Sequence, residues 1–163
     1  MTVNVRAAMA GDIPQLLSLI RRYWEFERIA SFEAARIEML LQRLLVEPRL
    51  GAVWVAEESD RLVGYLVAAT LLSLEHGGLM AEVDELFVLE EARSRGIGAR
   101  LLAAGEAALA ARGCVRLQLQ LGADNGVARA FYEGRGYCAR DGYRLLEKAL
   151  PPEPAEATAR RAD

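Results

Sequence analysis

Carboxylates, arginines and glycines crowd residues 82–100, EVDELFVLEEARSRGIGAR. Glu82, Asp84 and Glu85 sit in an apolar run that reads as a strand ending near Leu89. Period-2 alternation predicts Glu82 and Asp84 on one face of that strand and Glu85 on the other. A strand carboxylate can act as a general base; the competing reading is a charge that faces water, or, for Glu85, an ion pair with an arginine such as Arg116. Arg93-Ser94-Arg95-Gly96-Ile97-Gly98 comes next, and a helical period begins at once. Glycine lets backbone approach a ligand without a Cβ clash. The first amides of a helix are unsatisfied donors carrying about half a positive charge. Such a turn suits a phosphate or pyrophosphate, with Arg93 and Arg95 adding charge at its rim.

Other chemistries are excluded by what is missing. The 163 residues hold one histidine (His76), two cysteines (Cys114 and Cys138) and one lysine (Lys148). A His/Cys zinc site needs four close ligands, so no metal is expected, and the two cysteines are expected to be small buried residues. His76, beside Gly77-Gly78, is expected in a solvent-exposed turn. A dinucleotide fingerprint fails because Leu101 stands where its third glycine belongs, and a Walker A loop fails for want of a lysine. A net charge of −3 argues against nucleic acid as a partner. No stretch reaches 18 consecutive apolar residues and the N-terminus lacks a signal-peptide pattern, so a cytoplasmic protein with no membrane span is expected.

A second pattern follows about 27 residues on: Asn125-x-x-Ala128-x-x-Phe131-Tyr132-x-x-x-Gly136-Tyr137. With Arg93-x-x-Gly96-x-Gly98 behind the strand Leu86-Phe87-Val88, it resembles the paired motifs of the GNAT superfamily of N-acetyltransferases. The departures are Glu90, Ala92 and Ser94 where the family often has Pro, Tyr and Gly, and Tyr137 for Phe; none removes a backbone donor.

The resemblance implies acetyl-CoA as cosubstrate and no metal. Amides of Arg95, Gly96, Ile97, Gly98 and Ala99 would hold the pyrophosphate, with Arg93 and Ser94 in the same turn. Backbone at Phe87, Val88 and Leu89 would pair with pantetheine, and Asn125 would touch the cofactor from the other side. The family places a base at positions matching Glu82 or Asp84, an oxyanion donor near Val88, and a general acid at Tyr132. Tyr23, Glu27 and Phe32, in the region of the first two helices, would contact the acceptor, and Glu25 could add to a cation-attracting acidic surface. The implied reaction is direct transfer of an acetyl group to a primary amine, with a small molecule as acceptor. The alternatives are acetylation of a protein N-terminus or lysine, or a non-catalytic CoA sensor. Homodimerisation through sheet edges or residues 143–150 is an expectation by analogy.

The elements that must position these residues read as a single α/β domain over residues 1–150. Its order is β-α-α-β-β-β-α-β-α-β-β, giving a mixed central sheet with helices on both faces. Asp12 with Pro14 signals the first helix, over residues 13–26. The second starts at Ser31 or Phe32 and ends before Pro48. Three hairpin-linked strands follow, over 52–56, 62–72 and 79–89, then a helix over 96–112 and a strand over 115–121. A short helix spans 125–133, and Asp141-Gly142 signals a closing hairpin. Residues 151–163 have no apolar periodicity and are expected to be disordered.

Overall fold

The computed structural model describes residues 2–151, so nearly all of the tail named above lies outside the described residues. The chain divides into two compact units, Met1–Gln120 and Leu121–Asp163. The first holds β1 (Asn4–Ala7), α1 (Ile13–Glu27), α2 (Ala34–Val46), β2 (Gly51–Glu58), β3 (Arg61–Ser73), β4 (Gly78–Val88), α3 (Ile97–Ala111) and β5 (Cys114–Leu119). The five strands form one sheet in the order β1-β2-β3-β4-β5. Neighbours are antiparallel except β4 and β5, which are parallel because α3 carries the chain back between them. This is the mixed sheet that the hairpin and crossover signals predict.

Strand alternation assigns the two faces. Trp54 and Leu66 are register partners, and a Cβ at Gly105 of α3 would collide with the Leu66 side chain at 2.5 Å while only touching the Trp54 ring. The absence of that Cβ lets α3 settle on the sheet, where Leu101 and Leu102 are fully buried. Each such leucine contributes about 1.5–3 kcal/mol by leaving water. Val55, Tyr65 and Val67 face the opposite side, towards α1 and α2; Val55 and Tyr65 are fully buried. The β2–β3 turn holds Ser59 and Asp60 at φ 50° and 62°, the paired left-handed conformation of a tight hairpin.

Several expectations are corrected. Asp12 does not cap α1: its carboxylate accepts from Met9 N at 2.7 Å and from both terminal nitrogens of Arg6 at 2.7 and 2.9 Å. An arginine fork outbids a neutral amide for that acceptor. The second helix starts at Ala34, because Ser31 adopts a left-handed φ of 63° and prolongs the connection. Cys114 is half-buried at the start of the outermost strand β5 and Cys138 is exposed after α4, so neither is a core residue. His76 is half-buried, not exposed.

In the second unit α4 (Gly126–Glu133) is capped by Asn125, whose Oδ1 accepts from Ala128 N at 3.0 Å. Tyr132 is buried and meets Phe131 and Tyr137 edge-on, with ring centroids 5.1 and 5.3 Å apart. The expected closing pair of strands is absent among the described residues. Gly142 takes the left-handed φ of 83° that the turn signal requires, yet no strand forms on either side of it. Tyr143, Leu145 and Leu146 remain exposed, and a hairpin that buries no face is marginal on its own.

Candidate active site

The centre of the site is an irregularity in β4. Val67 pairs with Glu85 and Ala68 with Val83, so Asp84 is an extra residue, a β-bulge. At the same point the ladder to β5 stops: its last pair is Val83 with Leu119. Residues 84–88 therefore keep β3 on one side and, among the described residues, have no strand on the other. A bulge re-aims the side chains around it. Asp84 and Glu85 line one cavity together, which corrects the expectation that alternation puts them on opposite faces.

Glu85 accepts from Trp24 Nε1 at 2.8 Å and from Tyr65 Oη–H at 2.7 Å. Its partner is thus not Arg116. Burial raises its proton affinity, and the bonds from Tyr65 and Trp24 pull it partly back. Tyr65 itself is held far above the ordinary tyrosine range, by burial first and the Glu85 charge second, so its hydroxyl stays a donor. Asp84 is also raised, by burial and then by Glu82, although its open side towards solvent moderates the effect. Glu82 turns towards β5, where it accepts from Gln118 Nε2 at 2.6 Å and Gln120 Nε2 at 2.9 Å.

The cavity has a volume of about 420 Å³ and lies between α1, α2, their connection and the β3–β4 pair. That is within the usual range for small-molecule sites. Trp24 and Ile37 line it, but Tyr23, Glu27 and Phe32 do not. Tyr23 packs on Phe87 at 5.9 Å, and Phe32 braces Trp24 edge-on at 5.5 Å. Glu25 and Glu27 point into solvent near the end of α1. The helix period placed the aromatic cluster but not which members face inward. The Trp24–Glu85 bond had no sequence signal, and the bulge had only a faint one: three carboxylates in four residues of an otherwise apolar strand.

The turn between β4 and α3 gathers a run of backbone amides. Ser94 and Gly96 have φ of 60° and 74°, and Gly96 is the N-cap of α3. A Cβ on Gly96 would meet nothing within 4 Å, so glycine is there for conformation. Arg93 N bonds Glu90 O and the helical ladder starts with Arg100 N to Gly96 O; among the described residues no backbone bond engages the amides of Ser94, Arg95, Gly96, Ile97, Gly98 and Ala99. Successive free amides at a left-handed turn and helix start suit a pyrophosphate. The guanidiniums are otherwise occupied. Arg95 pairs with Glu58 at 2.5 Å, and Arg93 donates to Val88 O at 3.0 Å while lying 5.0 Å from the Phe26 ring centre.

The strand residues expected to meet pantetheine differ among themselves. Phe87 and Val88 lie on the free stretch of β4. Leu89 does not offer a free amide: its N–H bonds Val63 O and its carbonyl accepts from Ala92 N, both at 2.9 Å. Asn125 spends its Oδ1 on capping α4. Tyr132, on the same helix, has its hydroxyl pushed up to about 12 by burial.

Residues 13–137 match the acetyltransferase (GNAT) family. An uncharacterized N-acetyltransferase of Bacillus subtilis (strain 168), YhfO, is 31% identical over 135 residues, 83% of this chain and 89% of that protein. The integron cassette protein HFX_CASS3, from the mobile metagenome of Cole Harbour Salt Marsh, is 30% identical with a TM-score of 0.79 over 91% of both chains. The aminoglycoside N-acetyltransferase AAC(6')-Iy, solved in complex with CoA, shares the fold: TM-score 0.79, 15% identity, 91% of this chain and 96% of that one. The chain belongs to the acetyltransferase (GNAT) family.

Proposed function

We propose that this protein transfers the acetyl group of acetyl-CoA to the primary amine of a small molecule, by direct attack with both substrates bound. One observation carries the reading: the bulge at Asp84 coincides with the end of the β4–β5 ladder. Paired carboxylates, a free strand edge and the cradle at residues 94–99 therefore follow one another along a single strand and the turn after it.

Acetyl-CoA supplies an activated acyl group and a thiolate leaving group. The protein must do the rest. An alkyl ammonium of pKa about 10.4 is neutral only about once in 2,500 molecules at pH 7. Asp84 and Glu85, both with raised proton affinity, receive the proton that the amine must lose, directly or through water. The Asp84 charge adds to the rise at Glu85, after burial. The nitrogen forms its bond to the carbonyl carbon, and negative charge moves to the oxygen. A backbone amide near Val88 meets that charge. When the carbon–sulfur bond breaks, the thiolate takes a proton from Tyr132, a role assigned from its motif position and supported by a hydroxyl that stays protonated at neutral pH. No covalent enzyme intermediate is required, so the scarcity of His and Cys is no obstacle.

Thiol release from acetyl-CoA across a panel of amines and peptides tests the reading. The expected result is amine-dependent release with acetylated amine as product. Gly98→Glu, which places a charge and a bulky side chain at the cradle, is expected to abolish acetyl-CoA binding. Intact CoA affinity in that variant would refute the cradle.

A further inference from the structure

The cavity at Asp84 and Glu85 is not uniformly polar. Its α2 wall is a stripe of Ile37, Leu40, Leu41 and Leu44, which recur on one helical face. Such a stripe normally closes against a core. Here only Leu41 is buried, and Leu40 is 47% exposed beside the cavity. Ile20, Ile29 and Val67 continue the apolar lining from three other elements. Charge is confined to four lining residues. Asp84 and Glu85 sit together at the β4 end, and Glu33 and Arg36, opposite in sign and three residues apart, lie on or beside the first turn of α2. The two α2 charges offset each other, leaving the β4 end as the place where a cation is favoured.

From this distribution we infer that the acceptor is a primary monoamine on an apolar aliphatic or aryl body, its nitrogen at Asp84 and Glu85 and its body along the α2 stripe. The inference rests on the acetyltransferase reading and narrows its acceptor. A polyhydroxylated polyamine, such as the aminoglycosides named for AAC(6')-Iy, is disfavoured: its hydroxyls and extra ammonium groups would lie against Ile37, Leu40 and Leu44 without partners. An apolar body gains by covering the same wall. Each buried methylene is worth enough to change binding about fourfold.

The test is a series of unbranched primary alkylamines from two to eight carbons, with an aminoglycoside as the polar comparator. Two readouts run in parallel on the full chain: kcat/KM for acetyl transfer, and amine affinity by calorimetry without acetyl-CoA. Both are expected to rise about threefold to fourfold per methylene until the cavity is full, with the aminoglycoside below the longest amines. Leu40→Glu puts a carboxylate into the apolar wall at a position already open to water, so folding survives. It is expected to flatten the increment, hurting long amines more than short ones. A flat series with efficient transfer, or preference for the aminoglycoside, overturns the acceptor class and leaves the acetyltransferase reading standing. A graded binding series with no transfer to any amine supports the ligand class and overturns the enzymatic reading instead.

Discussion

Replacing Tyr65 with phenylalanine removes one oxygen atom and tests how the candidate base is held. Tyr65 is fully buried on β3, and its hydroxyl donates to Glu85 Oε2 at 2.7 Å. Phenylalanine keeps the ring, so no cavity of consequence opens and the ring contact to Phe87 at 6.2 Å survives. What is lost is a hydrogen bond to a charged group, worth about 1.5–3 kcal/mol. In a domain of this size each kcal/mol lowers the melting temperature by about 2–4 °C, so a fall of about 3–12 °C is expected. The same bond holds the Glu85 proton affinity down against burial. Without it Glu85 binds its proton more tightly, and the acidic limb of the kcat/KM profile moves to higher pH. Phenylalanine at 65 touches neither substrate, so a shift in that limb reports on Glu85. Calorimetric melting and a pH–rate profile on the same preparation decide it. An unchanged melting temperature together with an unmoved limb would refute the claim that Tyr65 positions and tunes Glu85.

Asp84→Asn is expected to lower kcat/KM at neutral pH by about 10²–10⁴ while changing the melting temperature little, because the side chain reaches solvent. Glu82→Gln, in a residue already engaged by Gln118 and Gln120, is expected to change activity less than about threefold in the same amine-dependent assay. Gly51→Ala is expected to destabilise the protein by more than about 3 kcal/mol in urea unfolding: φ is 153°, and the new Cβ would collide with the Ala68 carbonyl. Arg6 holds the Asp12 carboxyl below the usual carboxylate range. That interaction contributes fully above the unfolded value near 3.9 and is lost as pH falls through the lowered folded value. Arg6→Ala should therefore destabilise by about 2–3 kcal/mol at pH 7 and by much less near pH 2, read from melting curves across pH.

The sequence exposed whatever depended on local periodicity. The apolar runs of β2 and β3, the helical stripe of α1 and the break at Gly96 are each written into a few neighbouring residues, and the order β2-β3-β4-β5 follows from two hairpins and one crossover. The turn before α3 was legible for the same reason: its left-handed Ser94 and Gly96 and the helix start after them are local backbone features. The pocket was not. Asp84 and Glu85 share a face because one residue is inserted against β3, and the three carboxylates within residues 82–85 hint at an irregularity without locating a bulge that the partner strand defines. Trp24 and Glu85 are 61 residues apart and meet only through tertiary packing. The closing hairpin shows the converse: Asp141-Gly142 specifies a turn, but strands on either side need a face to bury, and turn chemistry does not provide one.

The central claim is that a carboxylate pair created by the β4 bulge activates an amine for attack on acetyl-CoA. A rapid-mix single-turnover experiment with acetyl-CoA and an alkylamine, followed by mass spectrometry of the amine, tests it most directly. The account predicts acetylated amine formed at a rate that rises with pH through the titration of the Asp84–Glu85 pair and falls at least a hundredfold in Asp84→Asn. An equal rate in wild type and Asp84→Asn across that pH range would contradict it.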